Sequence, residues 1–526
     1  MNRLLSSAAA AAFLALGISA AGAAPPKDLD AFVAQSMKTF GPPGVTVAIV
    51  ENGKPVLTKG YGIRSIATKA PVDEHTAFPI GSETKAFTSA ALAILVDEGK
   101  LKWTDRVVDK LAGFQMYDPY ATEHMTIIDL LTHRSGLGLG EGDLLIVPST
   151  TRSRADIVHA LRYLKPVSGF REKFAYDNIL YIVGGALVQA VSGETWEHFI
   201  ENHIFKPVGM TDSATAYNIH AENGIALHAR TSGPIRGVGP QGILLHGLEG
   251  GASAPAGAIN ASAVDMAKWM EVQLSRGNLP NGGRLFSEAQ ADEMWKPEVV
   301  VSPDSFGKAA SAVMEALSPK FQDYGLGWFI ENYHGHTIIE HTGAVLGAVA
   351  ALYLIPEKNV GIAVMINSED GASRRAVAFH LMDYYLGIPD QHWNEKLKLL
   401  VDQMMASGEK ALKAQPEQVH PSGKSSLPTA AYAGVYKDPW YGTTTITSKP
   451  GGALWMKFDK TPNMEGPLTR VADDTFEVTW TDKTIEAAYA KFDVTGGKVK
   501  GIAMRPVSPL ADFSFDYQDL HFAPAH

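Results

Sequence analysis

The chain has no cysteine among its 526 residues. Disulfides, a thiolate nucleophile, cysteine-ligated metals and a lipid anchor on cysteine are therefore excluded in any compartment. Positive charge is also scarce: 46 Lys and Arg stand against 56 Asp and Glu, a formal net charge of -10, and no basic run stands out. A nucleic-acid partner, which needs a basic surface, is not expected. Beyond residue 23 no apolar run is long enough to span a bilayer. The apolar run before it, Ala8 to Leu16, follows Arg3 and leads to the small residues Ala21-Gly22-Ala23. That is the pattern of a secretory signal, so residues 1–23 are expected to be cleaved after Ala23, leaving a periplasmic or secreted protein without stable membrane insertion. A buried amino-terminal helix or a membrane anchor is the competing reading, but the run is short for a span and Pro25-Pro26 follow at once.

What is present is an ordinary globular composition, 45% hydrophobic, in a chain long enough for more than one core. Gly44 to Val50 and Lys54 to Tyr61 are β-rich runs joined through Glu51-Asn52-Gly53, and Asn-Gly between apolar runs is a strong hairpin signal. From about residue 100 to 300, helical patterns dominate, among them Thr126 to Leu131, Tyr181 to Val188 and Ser262 to Met270. Strand signals return at Thr337–Glu340, Ala348–Ile355 and Val360–Ile366. Strands at both ends with helices between them predict an α+β fold in which early and late strands share one antiparallel sheet, over residues 24–412. Trp393, Leu397, Leu400, Val401, Met404 and Met405 mark one apolar face of a late helix. Residues 413–429 lack periodicity and read as a linker. Residues 430–526 alternate as short strands, with Gly451-Gly452 and Gly496-Gly497 as turns, and predict a separate antiparallel β-barrel-like domain. Its expected strands include Asp512–Asp516.

Three short stretches carry the chemistry. The first, "GSETKAFTSA" from Gly81, places Lys85 three positions after Ser82 at the front of a buried helical pattern. A lysine there costs free energy unless it is paired or used. On its own the pair reads more readily as a helix cap beside a lysine whose amine reaches solvent. The second is Tyr176-Asp177-Asn178 at the front of an apolar helix, where the bland reading is a packed tyrosine and a capping asparagine. The third is His341-Thr342-Gly343 at the end of a strand. Chance agreement of all three in this order is small.

With these stretches the chain resembles the serine penicillin-binding protein and class C β-lactamase superfamily, over about Pro25 to Leu412. Supporting stretches are "IIDLLTHRSGL", "PVGMTDS", "PAGAINASAVDMAKWM", "YGLGWF" and "VMINSEDG". The resemblance implies a β-lactamase/D,D-peptidase-like antiparallel sheet flanked by helices, with an inserted helical region, and likens the last domain to the lipocalin-like barrel that some of these hydrolases append. Ser82 would be the nucleophile. Lys85, on the same helix face, would act as its base once burial lowers an ordinary pKa of about 10.4. The resemblance further implies that Tyr176 shares the proton work, as base in acylation or as the route to the leaving group. Asn178, His341, Thr342 and Gly343 would bind substrate, with Asn178 also holding Lys85. The backbone N–H groups of Ser82 and Ala344 would form the oxyanion hole, and Gly343 would let strand and substrate approach closely.

His341 departs from the lysine that most β-lactamases and D,D-peptidases of this group carry. A histidine with an ordinary pKa is charged in only about one molecule in four at pH 7, so a permanent carboxylate anchor is not expected, and weight moves toward peptidase and esterase activities. A metal reading of His334, His336 and His341, with the first two on one strand face, lacks a further ligand at clear spacing. No metal and no cofactor are expected. The sequence thus predicts an exported serine hydrolase forming a Ser82 acyl-enzyme. Its expected substrates are small peptides, including D-residue-containing or linearised cyclic ones, with esters and β-lactams as alternatives. A non-catalytic penicillin or cell-wall sensor is the contrasting class.

Overall fold

The computed structural model of the protein describes residues 25–217, 222–246, 250–305, 321–415 and 425–525. The expected signal at 1–23 and the middle of the expected linker lie outside them.

The amino-terminal hairpin forms as its sequence dictates. Strands β1 (Gly44–Glu51) and β2 (Lys54–Gly62) pair antiparallel, and Asn52 and Gly53 take the left-handed conformations, φ 52° and 70°, that a tight two-residue turn requires. Every residue of β1 is buried, because both faces of the sheet are covered. Val45, Val47 and Ile49 point to one face, and Ala48 and Val50 to the other. The period of two is still there, but it sorts residues between two cores instead of between core and water.

Six later strands complete the sheet: β3 (Val299–Val300), β4 (Gln322–Tyr324), β5 (Phe329–Tyr333), β6 (His336–Val345), β7 (Ala348–Ile355) and β8 (Val360–Ile366). The order is β2-β1-β8-β7-β6-β5-β4-β3, antiparallel throughout. The first hairpin thus pairs with the last strand of the sheet, as the α+β reading requires. One face packs on α1 (Leu29–Phe40), α5 (Gly371–Leu386) and the start of α6 (Trp393–Lys413). The other packs on α2 (Thr84–Asp97) and α4 (Ala263–Leu274), with α3 (Ile179–Ser192) behind them.

Strand β6 is longer than its sequence signal. Only its first half, His336 to Glu340, pairs with β5, whereas Ile339 to Val345 pair with β7. Among the described residues, 341–345 therefore have a ladder partner on one side only.

The carboxyl-terminal region is a closed antiparallel barrel of eight strands: β9 (Gly434–Asp438), β10 (Gly442–Ser448), β11 (Leu454–Phe458), β12 (Glu465–Ala472), β13 (Thr475–Val478), β14 (Ala488–Thr495), β15 (Lys498–Pro506) and β16 (His521–Pro524). Three strands, β12, β15 and β16, escape the sequence patterns because each has little apolar alternation: Gly466 and Leu468 face inward in the first, Ile502 and Met504 in the second and Phe522 alone in the third. Asp512–Asp516, expected as a strand, is an irregular loop between β15 and β16. Its alternating Phe513 and Phe515 have different neighbours: Phe513 lines a cavity together with Ser82, and Phe515 is buried in the hydrophobic core.

Candidate active site

Chain geometry at Ser82 is set by two glycines. Gly81 has φ 53°, and a Cβ there would stand 2.5 Å from the Ala344 nitrogen; a Cβ on Gly343 would stand 1.8 Å from the Ile80 carbonyl oxygen. The short 3-10 turn Gly81–Glu83 can therefore lie directly against β6, with Ser82 facing the strand's unpartnered half. The close approach that Gly343 permits in the structure is to Ile80. The Ser82 side chain does not cap α2.

Lys85 is fully buried. Its Nζ lies 2.9 Å from Ser82 Oγ, 2.7 Å from Asn178 Oδ1 and 3.0 Å from the Ala256 carbonyl oxygen, with the rings of Tyr176 and Tyr181 at 4.8 and 5.3 Å. Loss of water lowers its pKa to about 7, against the opposing pull of Asp143 and Asp177. A neutral amine here has two N–H groups for the two oxygens of Asn178 and Ala256, and its lone pair is left for the Ser82 hydroxyl. Tyr176 is hydrogen-bonded to Ser82, and burial holds its phenol well above the ordinary range, so it stays protonated.

Asn178 opens α3 without capping it through its side chain. Its amide faces two ways: Oδ1 accepts from Lys85, and Nδ2 donates to Asp143 Oδ2 at 2.8 Å. The turn before it is pinned by His133, whose Nδ1 accepts the Asp177 N–H at 3.0 Å. Asp143 is fully buried and its pKa is raised to about 7, first by desolvation. Ser514 Oγ, on the barrel loop, donates to the same Oδ2 at 2.8 Å. Asp516 on that loop accepts from the backbone N–H groups of Gly142 and Leu144 at 2.7 and 2.8 Å. The barrel therefore grips both sides of the residue that backs Asn178. Asp143, His133, Ala256, Ser514 and Asp516 were not singled out by the sequence, since single acids, serines and carbonyls carry no local pattern.

His341 is buried. Its Nδ1 donates to its neighbour's carbonyl, Thr342 O, at 2.7 Å, and its Nε2 accepts from the Tyr324 hydroxyl at 3.1 Å. Burial, aided by the charge of Lys85, pushes its pKa down to about 3. The ring is therefore neutral throughout the ordinary pH range. The partial protonation expected from a free histidine is corrected, because burial disfavours the charged ring. The three histidines weighed as a metal site, His334, His336 and His341, do not form a cluster either. His334 sits in the β5–β6 turn with φ 50° instead of on a strand face with His336, and His336 pairs with Glu357 at 2.8 Å. Among the described residues no group of three or more His, Asp or Glu could hold a metal ion. Glu83, assigned no role from sequence, is buried with neither carboxylate oxygen hydrogen-bonded, and its pKa is raised accordingly.

Ser82, Tyr176, Asn178, His341, Thr342, Gly343 and Ala344 all line one cavity of about 410 Å3, and Phe513 and Ser514 of the barrel loop complete it. Lys85 lies behind it, reached through Ser82.

Comparison with known proteins identifies relatives of the chain and of its fold. The Beta-lactamase family profile matches residues 29–386, and a domain of unknown function (DUF3471) matches 419–524. The chain is 28% identical over 442 residues to the unguisins hydrolase ungD of Aspergillus violaceofuscus, covering 80% of this chain and 76% of that one. It is 26% identical over 345 residues to protein flp of Staphylococcus aureus, covering 65% and 63%. In three dimensions it is similar to the octameric penicillin-binding protein homologue from Pyrococcus abyssi, with a TM-score of 0.57 at 22% identity over 90% of this chain and 97% of that one. A penicillin-binding protein from Bacillus halodurans superposes with a TM-score of 0.53 at 22% identity, over 66% and 98%.

Proposed function

Because the chain belongs to the beta-lactamase family, whose members are typically serine hydrolases, we propose that it hydrolyses amide or ester bonds through an acyl-enzyme on Ser82. The observation that carries this reading is the setting of Lys85: buried, with a pKa near 7, two oxygens to take its N–H groups and Ser82 Oγ at 2.9 Å on the remaining side. A base is most effective when its pKa lies near the working pH. Lys85 removes the Ser82 proton as Oγ attacks the substrate carbonyl, and the oxyanion is held by the N–H groups of Ser82 and Ala344. Tyr176, protonated and in contact with Ser82, serves as the relay that delivers a proton to the leaving group, not as a resting phenolate base. Water then repeats the sequence on the acyl-enzyme, returning the serine. Asn178 holds Lys85 and, with Thr342, reaches the substrate.

Peptidase activity on short or D-residue-containing peptides ranks ahead of esterase and then of β-lactamase. The neutral, internally bonded His341 supplies no cation for the carboxylate of a penicillin or of a terminal D-alanine. A relative carrying the name of a hydrolase supports turnover over mere binding. The test is a fluorophosphonate reaction read by intact mass. A single adduct on the native protein and none on Ser82→Ala is expected; absence of an adduct, or equal labelling of both, overturns the proposal in favour of a non-catalytic sensor. A rate panel with a chromogenic cephalosporin, p-nitrophenyl esters and D- and L-aminoacyl p-nitroanilides ranks the activities. Turnover confined to the cephalosporin overturns the preference for peptidase.

A further inference from the structure

Beside the Ser82 cavity lies a second one, of about 400 Å3. Ile146, Val147, Ala344, Asp512 and Ser514 line both, so the two are divided only by the tip of the barrel loop and the 146–147 turn. Strand β6 runs through both. Glu340 to Ala344 line the first cavity, and Ala344 and Val345, followed by Leu346, line the second. An extended chain laid along the half of β6 that lacks a ladder partner passes from one into the other.

The walls of the second cavity are apolar and come from three parts of the molecule: Leu346 and Val349 of the sheet region, Met404 and Met405 of α6, and Leu510 and Phe515 of the barrel loop. The apolar stripe of α6 explains the two methionines. Trp393 and Leu397 are buried in the core under the sheet, and Leu400 and Val401 pack against that same core. Met404 and Met405 continue the stripe by one more turn, are only half-buried, and face the cavity. The stripe thus outruns the core it seals. Two glycines keep the space open and tight: a Cβ on Gly237 would stand 3.0 Å from the Met405 methyl, and one on Gly408 would stand 2.5 Å from Leu510. Arg236, which lines the cavity, is already committed to Glu369, through Nε at 2.7 Å, and to the Thr484 carbonyl of the barrel at 2.7 Å. Asp512 stands at the shared rim, which disfavours an anionic occupant.

We propose that this cavity is a subsite for a bulky apolar side chain of the substrate, on the Ala344–Val345 side of the reacting carbonyl, with the barrel loop as its outer wall. The proposal rests on the hydrolase reading of the Ser82 cavity and narrows it to substrates with a large aliphatic or aromatic group next to the cleaved bond. Methionine walls adapt to many apolar shapes, so the preference is for apolar bulk and not for one side chain. Pockets of this size, mostly apolar with a few polar groups, are the common form of small-molecule sites.

The test is calorimetric binding to the Ser82→Ala protein of two amide pairs that extend an apolar chain on either side of a common carbonyl. These are N-octanoyl- against N-acetyl-D-alaninamide, and N-acetyl-D-alanine octylamide against its methylamide. The long member of one pair is expected to bind at least tenfold more tightly than the short one. Met405→Lys and, separately, Leu510→Lys are each expected to abolish that gain while leaving the short ligand's affinity within twofold. Both positions are half-buried, and thermal melting of each variant verifies the fold. No gain in either pair, or a gain that survives both substitutions, overturns the subsite. Fluorophosphonate labelling of the native protein separates the two claims: a chain-length gain without a Ser82 adduct sinks the hydrolase reading and leaves the subsite, and an adduct without the gain does the reverse.

Discussion

The open sheet and the closed barrel solve the same physical problem in opposite ways, and the candidate site lies where the two solutions meet. Each has eight antiparallel strands. In the barrel the first and last strands pair, Tyr436 with Pro524, so every edge is used and nothing is offered to a ligand but loops. In the sheet, β6 leaves its partner β5 after Glu340. The Gly81–Glu83 turn is then free to bring a nucleophile against the strand without a competing ladder. The barrel contributes through a loop that the closed ladder does not hold, and that loop places Ser514 on Asp143 and Asp516 on the backbone of the turn carrying it. In the proposed mechanism, reactivity is drawn from an unfinished edge, and its alignment from a finished one.

The sharpest way to break the comparison is at the sheet's edge. Ser82→Ala removes the group on which every step acts, and a loss of at least about a thousandfold in kcat/KM on the best substrate of the panel is expected. Lys85→Met keeps the volume but deletes the base, and a loss of about a hundredfold to ten-thousandfold is expected in the same assay. The wild-type profile should bear the mark of that base. Only the unprotonated amine can accept a proton, so kcat/KM falls about tenfold per unit as pH drops below about 7. His341, with its pKa near 3, adds no limb between pH 5 and 9.

Substitutions in the barrel loop sharpen the comparison, because they touch no reacting atom. Asp516→Asn can accept only one of the two backbone N–H groups, and loosening the Asp143 turn should lower kcat by about tenfold with the barrel still folded by circular dichroism. Ser514→Ala should cost less in rate but move the pH profile. Without the Ser514 donor the Asp143 carboxylate is less stabilised and its pKa rises. Less negative charge then supports protonated Lys85, whose pKa falls, and the acidic limb moves to lower pH. A purely structural role would lower the rate and leave the limb where it was. The smallest effect on activity is expected at the far hairpin. Gly53→Val forces a β-branched residue into a left-handed turn, φ 70°, at a cost of about 1–2 kcal/mol. It should lower Tm by a few degrees while kcat/KM at the Ser82 site stays within twofold.

The sequence made some of this legible and not the rest, for reasons that lie in particular residues. Ser82, Lys85, Tyr176, Asn178 and His341 sit in short linear motifs, so their order along the chain could be matched. Asp143 has no such signature. It matters because Asn178 must spend its second amide group on something, and only the fold selects the partner. Ser514 is 371 positions away in the chain from the carboxylate it binds, and it lies in a segment whose alternation of Phe513 and Phe515 mimics a strand. The charge state of His341 was misjudged from free-solution behaviour, because the sequence does not reveal that Tyr324 and Thr342 bond its ring and that burial disfavours its charge.

By itself the sequence determined the hairpin at Asn52-Gly53, the two-faced alternation of the central strands, the barrel's run of short strands and the types of group that meet at the site. These follow from backbone sterics and side-chain periodicity, which are local properties of a chain. Tertiary structure alone decided that Lys85 sits near pKa 7, that His341 is neutral, that β6 ends half unpartnered, and that the barrel lends a loop to the cavity. Those outcomes depend on which groups exclude water from which others, and desolvation is set by what packs around a residue in space, not by what precedes it in the chain.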